Sequence, residues 1–275
     1  MVVDNLYSSC SCGCCRTYSN EAAYSTAFTP ELMARLLADI FAQKFNVETE
    51  IYPDLYEAAR LTFEQALQEG YPLEDVVEAD ALFREALKND ADVFAAFRTH
   101  RMQNDIASQL LYEDGKLKDF RRFQEDAEAI IGTYNNAWLR TEYDTAVLRA
   151  RQAADWKGFE RNRDIFPNLK WMPTTSVEPD IFHKEYWSIG LTLPIEHVFW
   201  KNHHPGDRWN CKCSLEQTDE PATGTVPDTA YTPSPGLENN PGIDPKLFSH
   251  THPYYANAYP GAKEAVQLLF DFDID

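Results

Sequence analysis

Residues 171–213 read WMPTTSVEPDIFHKEYWSIGLTLPIEHVFWKNHHPGDRWNCKC, and this stretch decides how the rest of the chain is organised. Four prolines interrupt it: Pro173, Pro179, Pro194 and Pro205. Because each proline removes a backbone donor, no long helix fits between them, and a compact, loop-rich module with short strands is predicted. The sequence before this stretch is patterned as helix, and the sequence after it is broken by prolines and acidic.

Length, composition and charge bound the class of protein. The 275 residues are 44% hydrophobic, which is enough for one sizeable core or two smaller ones. The formal charge of -19 argues against gripping nucleic acid through the whole surface, so any DNA contact is expected to be local and not primary. No apolar run approaches the roughly 20 residues that span a bilayer, and the first residues lack the pattern of a secretory signal. We therefore expect a cytoplasmic protein without a membrane partner.

Helix signals begin at Thr29, which is a cap candidate followed by Pro30 at the first turn. Apolar residues at three-to-four spacing then predict an amphipathic helix of about four turns, as far as Phe45. A second helix is predicted from Pro53, with Gly70 as its stop. The first half of the chain is therefore expected to be mostly helical.

Two further signals punctuate the helical region. Asn89-Asp90 is predicted to break a third helix, and Asp119 is predicted to cap the helix that follows it. The polar residues of that later helix are interpreted as a solvated face with ion pairs three or four apart. These residues are Arg140, Glu142, Asp144, Arg149 and Arg151.

These patterns predict an α+β fold, with a mostly helical N-terminal half and a small β-containing, loop-rich C-terminal module. Four regions are expected: a cysteine-rich arm at 1–28, a helical region at 29–165, a His/Cys module at 166–219, and a Pro/Gly-rich acidic tail at 220–275 packed on the module. Within the module, a strand is predicted before His183.

The module carries a candidate metal site. Cys211 and Cys213 lie one residue apart, so on an extended strand both thiols point to the same side. His204 precedes them across a Pro-Gly turn, and His183 lies further back. Two thiolates and two imidazoles satisfy tetrahedral zinc, and we predict a closed structural site on these four residues rather than an open catalytic one.

Three alternatives stay open for these residues. The cysteines are also compatible with small buried hydrophobes, while His203 and His204 cap a turn. Cys211 and His183 could form a nucleophile pair, although the sequence shows no Asn or Asp with an evident orienting role. Asn202-His203-His204 followed by cysteines is faintly similar to histidine-metal nucleases, but the charge of -19 argues against phosphate binding.

The other four cysteines cluster near the start of the chain, at Cys10, Cys12, Cys14 and Cys15. Such close clustering is unlike a disulfide framework spread through a secreted domain, and it favours metal binding over bridges. A disordered N-terminus with reduced thiols is the alternative.

A set of short motifs follows in a fixed order along the chain. They are WLRTEYDTAVLRARQAADW (138–156), a strand NLKWMP (168–173), His183, LTLPIEHVFW (191–200), HHPGDRWNCKC (203–213), NNPG (239–242) and HPY (252–254). Together these motifs resemble the phage Mu F-like head morphogenesis family of minor capsid proteins, over roughly residues 85–255. The family's LDG-type turn is reduced here to Gly190, Glu196-His197 stands near the aromatic segment, and Lys212 replaces a commoner Arg.

This resemblance implies a non-enzymatic minor structural protein of a tailed-phage or prophage head. Its partners would be the portal protein, the major capsid protein or both, during head assembly and DNA packaging or ejection. It would lie in the virion, in the head interior or at the portal vertex, and in the host cytoplasm during assembly. The rival hypothesis is a metal-dependent nuclease or other effector-type enzyme that uses the same His/Cys module.

Overall fold

A computed structural model describes residues 6–7, 27–176, 181–227 and 231–270. The fold is α+β, as predicted, with a mostly helical N-terminal half and one small antiparallel sheet. None of the helices in these ranges is both long and apolar enough to cross a lipid bilayer. The α-helices are α1 (Pro30–Phe41), α2 (Pro53–Gly70), α3 (Ala81–Ala107), α4 (Phe120–Gly132), α5 (Leu139–Asn162), α6 (Ile181–Ser188), α7 (Pro253–Ala256) and α8 (Ala262–Phe270), and the strands are β1 (Asn168–Met172), β2 (Thr192–Pro194) and β3 (Ser214–Thr218).

The chain divides into two compact units. Unit 1 draws its described residues from Met1–Ser19, Ala66–Asp90 and Asp144–His252. Unit 2 draws its described residues from Asn20–Gln65, Ala91–Tyr143 and Pro253–Asp275. The four regions expected from the sequence stay a prediction.

Helices α1 and α2 both begin in unit 2, at the residues that the sequence predicts. The Thr29 side chain accepts the Leu32 amide at 3.1 Å and so caps α1. Helix α1 ends at Phe41, about one turn before the end of its apolar stripe, because Gln43 takes a positive φ of 51°. Helix α2 begins at Pro53 as predicted and ends at Gly70, one residue beyond the predicted end at Glu69.

Helix α3 is unbroken through Asn89-Asp90, so the predicted division of this helix is wrong. In unit 1, Asp90 Oδ2 accepts the backbone amides of Leu247 at 2.7 Å and Phe248 at 3.2 Å. Because these distant amides satisfy the carboxylate, it does not compete for the helix's own backbone groups. The pair Asn89-Asp90 therefore does not end the helix.

Asp119 caps α4 as predicted, by accepting the Arg122 amide at 3.0 Å. A π-helical segment, Thr133–Trp138, then joins α4 to α5. The interpretation of the polar residues of α5 as a solvated face is wrong for Glu142 and Arg149, which are both fully buried.

In unit 2 the buried Glu142 meets an opposite charge. Its Oε2 accepts Arg98 Nε at 2.7 Å, and its Oε1 accepts the Tyr254 hydroxyl at 2.5 Å. Arg98 is also fully buried, and its Nη2 donates to the Tyr134 carbonyl at 2.6 Å. Each charge is therefore compensated away from water, which is the condition for burying an ion pair.

The sheet of unit 1 has the order β2-β1-β3, with both pairs antiparallel. Strand β1 is the strand predicted from NLKWMP, and it pairs Leu169 with Leu193 on one side and Trp171 with Leu215 on the other. These four side chains are buried and belong to one apolar cluster that also contains Trp200, Tyr186 and Cys213. The strands and the short helix α6 thus bring the module's histidine and cysteines to the core of unit 1.

Candidate metal centre

Three side chains of unit 1 converge as possible metal ligands: His183, Cys211 and Cys213. His183 Nδ1 lies 3.4 Å from Cys211 Sγ and 3.7 Å from Cys213 Sγ, and all three ligand atoms lie within 4.8 Å of one another. Cys213 and His183 are buried, and Cys211 is half-buried. This cluster could hold a metal ion.

The local backbone explains why the two sulfurs meet the imidazole. Asn210 takes a positive φ of 62°, which turns the chain immediately before Cys211. Residues 211–213 precede β3, which begins at Ser214, so the two cysteines do not lie on a strand as the same-side prediction assumed. Their sulfurs nevertheless lie within 4.8 Å of each other and of the His183 ligand atom. His183 projects from α6, and its ring lies 5.0 Å from the ring of Trp171 on β1.

Asp207 orients His183, a role for which no Asn or Asp was evident from the sequence. Its Oδ1 lies 2.7 Å from His183 Nε2, and its Oδ2 accepts the Tyr231 hydroxyl at 3.1 Å. Asp207 favours a proton on Nε2, so a metal ion would have to displace only a proton on Nδ1, which is how a carboxylate prepares a histidine for a metal. The available signal was the position of Asp207 directly after the Pro205-Gly206 turn.

His204 does not join this group, so the structure does not support its predicted role as a ligand. Its Nδ1 lies 2.8 Å from the Pro205 carbonyl oxygen, and its Nε2 lies 2.8 Å from the Asn239 carbonyl oxygen. Burial lowers its pKa to about 4, and nearby Arg149 adds to this effect. A neutral imidazole carries one N–H, which one of these two carbonyl oxygens accepts, and His204 has a structural place in unit 1.

The Cys211 thiol resists ionisation in the absence of a cation. The hydrogen bond with Cys213, together with burial, raises the pKa of Cys211 well above its ordinary value. Burial would raise the pKa of Asp207, but the charge of His183 and its hydrogen bond lower it overall. A bare Cys211 is therefore a poor thiolate nucleophile, whereas a divalent cation would displace its proton.

Arg149 fixes the loops around the centre. This residue of α5 is fully buried, and burial lowers the pKa of its guanidinium to about 10, so it stays charged at neutral pH. Its nitrogens donate to carbonyl oxygens of segments far apart in sequence. The acceptors include Gly206 at 2.9 Å, Leu237 at 3.4 Å, Asn239 at 2.8 Å and Leu247 at 2.6 Å.

A cavity of about 180 Å³ adjoins the two cysteines within unit 1. Cys211 and Cys213 line it, whereas His183 does not. Most of the charge in the lining comes from α5 on the opposite side. The charged lining residues are Asp144, Arg151, Asp155 and Lys212.

Cys10, Cys12, Cys14 and Cys15 lie outside the described residues, so metal binding by these cysteines stays a prediction. Comparisons of the chain with models of known protein families, with curated proteins and with solved structures give no match. The kind of metal that this site suits is therefore inferred from its ligand atoms alone. Two sulfurs and one imidazole nitrogen are a donor set that suits zinc.

Proposed function

We propose that this chain is a minor capsid protein of a tailed-phage or prophage head, which acts by binding the portal or major capsid protein. A zinc ion on His183, Cys211 and Cys213 would stabilise its docking module. The proposal takes its function from the resemblance to the Mu F-like family. One observation carries it: motifs of that resemblance that are far apart in sequence pack against each other in unit 1.

The motif NNPG (239–242) contacts two other motifs, LTLPIEHVFW (191–200) and HHPGDRWNCKC (203–213). Asn240 Nδ2 donates to the Trp200 carbonyl at 2.9 Å, and the Asn239 carbonyl faces His204 Nε2 at 2.8 Å. Gly242 lies so close to Trp156 that a Cβ there would be 2.3 Å from the Trp156 Cβ. Only glycine fits so close to the Trp156 side chain, which gives a physical reason for the glycine of the NNPG motif.

His252 of the motif HPY contacts the motif HHPGDRWNCKC (203–213). The Trp209 ring lies 5.6 Å from the His252 ring and stacks on Phe248 at 5.7 Å. His252 is fully buried, and its Nε2 lies 2.7 Å from the Tyr7 hydroxyl. Motifs that lie as far apart as positions 209 and 252 thus pack together, which supports interpreting them as one set of family motifs.

The surface of unit 1 is suited to protein contact. Ile181 and Val198 are 74% and 67% exposed, although each directly precedes a phenylalanine that packs in or against the buried aromatic cluster. Exposed apolar side chains in an acidic protein favour docking to another protein over binding to phosphate backbones.

Co-expression with the portal protein of a phage genome that encodes this chain tests the proposal. We expect the two proteins to co-purify as a portal-sized ring, and we expect Ile181→Glu together with Val198→Glu to reduce that association. Lys184→Glu is the matched control, since it adds negative charge to the same helix without removing an apolar side chain. Failure to associate with both portal and major capsid protein would refute the proposed role.

A metal-dependent enzyme is the second candidate, and the cavity beside Cys211 and Cys213 favours it. Nuclease and esterase assays on zinc-loaded protein distinguish the two functions. Turnover that is lost on changing His203 or His204, with zinc content unchanged, would overturn the structural function. We expect no turnover above that of metal-free protein.

A further inference from the structure

We propose that a metal ion held by His183, Cys211 and Cys213 keeps its fourth coordination position open to the adjoining cavity and binds a small neutral donor there, water being the simplest. This inference rests on the proposed zinc site and is independent of the phage-head role. It replaces the closed four-residue site that the sequence predicted.

The number of donors is the first step. Zinc takes four ligands in structural sites, whereas sites with three protein ligands complete the shell with water or another small molecule. In the described part of the chain, the group of His, Cys, Asp and Glu side chains that meets here contains only His183, Cys211 and Cys213. His204, the expected fourth ligand, lies outside this group and beside two backbone carbonyl oxygens, one of which accepts its N–H.

The direction of the open position is the second step. Behind the imidazole lie Asp207, which is fully buried, and the ring of Trp171. The cavity lies on the side of the cysteines, since both cysteines line it and His183 does not. An ion between the three donors thus has protein behind its imidazole ligand and open space beside its sulfur ligands.

The charge of the cavity indicates the class of ligand. Its lining carries two carboxylates, on Asp144 and Asp155, and two cationic side chains, on Arg151 and Lys212. A divalent ion with two thiolates and a neutral imidazole adds no net charge. With no excess of either sign, the cavity favours a neutral donor over an anion.

Replacement of zinc by Co²⁺ gives a direct readout, because the visible absorption of Co²⁺ reports its coordination shell. Titration of the Co²⁺-loaded full chain with imidazole is expected to change that absorption saturably, and azide is expected to bind more weakly. Ser214→Trp should weaken imidazole binding by about tenfold or more, a change of about 1.4 kcal/mol, because Ser214 is an exposed residue that lines the cavity. Glu216→Trp is the matched control, since Glu216 is exposed on the same strand but does not line the cavity.

Each other outcome counts against the proposal. A Co²⁺ spectrum that is indifferent to imidazole means a closed site. If replacement of Cys10, Cys12, Cys14 and Cys15 by serine then restores the response, a thiolate from that segment is the fourth ligand. Azide binding as tight as imidazole binding would refute the neutral ligand class. Failure of the chain to bind either Co²⁺ or zinc would instead refute the proposed metal site itself.

Discussion

The Asp207 carboxylate lies 2.7 Å from His183 Nε2, and the two side chains are 0% and 1% exposed. Asp207→Asn keeps the shape of the side chain but removes the charge that holds the proton on Nε2. We expect zinc affinity to fall by about 10- to 100-fold, as measured by competition with a chromophoric chelator. The control is Glu196→Gln, because that acid is 68% exposed in the same unit. Equal affinities of Asp207→Asn and the unaltered chain would show that Asp207 does not orient the ligand.

The buried pair of Arg98 and Glu142 predicts a large stability effect in unit 2. Glu142→Gln leaves the Arg98 guanidinium buried without a counter-charge, and we expect a loss of about 3–5 kcal/mol in urea unfolding. Glu57→Gln is the matched control, since Glu57 pairs with Arg60 but is 51% exposed. That exposed pair should contribute only about 0–1 kcal/mol. Similar losses for the two variants would contradict the importance of burial.

Close packing at Gly242 gives a second stability prediction, this time for unit 1. A Cβ at this position would lie 2.3 Å from Trp156 Cβ and 2.4 Å from its Cγ, so Gly242→Ala must displace the indole. We expect a loss of about 1–3 kcal/mol in chemical unfolding. Gly224→Ala, where a Cβ meets nothing within 4 Å, should not destabilise the chain through a clash. A Gly242→Ala protein as stable as the Gly224→Ala protein would exclude this packing.

The buried His252 makes unit 1 sensitive to acid. Burial lowers the pKa of His252 from its ordinary value of 6.5 to about 3 in the folded chain. Between these pH values the unfolded chain binds the extra proton, so the stabilisation is complete above pH 6.5 and is lost as the pH falls toward 3. The expected slope is at most about 1.4 kcal/mol per pH unit.

Urea unfolding from pH 7 to pH 4, in the presence of EDTA to remove metal linkage, measures this slope. His252→Gln keeps a polar partner for Tyr7 and removes the titration, so its stability should fall less steeply with acid than that of the unaltered chain. The comparison depends on the slope and not on the absolute stability of the variant. Parallel pH profiles would show that His252 does not carry the effect.

Local patterns predicted the features that depend on nearby residues. The Thr29 cap of α1 and the Asp119 cap of α4 both follow from rules that act over a few positions. The failures have a different cause. Asp90 accepts backbone amides that lie 157 and 158 residues away, so nothing in its neighbourhood could show that its carboxyl group would find partners inside a helix.

The polar residues of α5 and of the candidate site show the same limit. Glu142 and Arg149 lie at spacings typical of an exposed helix face, but their partners come from other segments of the chain. Asp207 is separated from His183 by 24 positions and from Tyr231 by another 24. The metal ligands could be proposed from their chemistry, whereas the residue that orients them required the three-dimensional arrangement.

Arg149 also determines how unit 1 resists cleavage. Its single guanidinium donates to carbonyl oxygens at positions 206, 237, 239 and 247, so these loops share one buried donor in addition to their own separate hydrogen bonds. No one of them can extend into the groove of a protease without giving up a bond that the buried cation requires. Nicking in these loops therefore becomes a collective event, governed by the opening of the whole unit and not by the exposure of any single peptide bond.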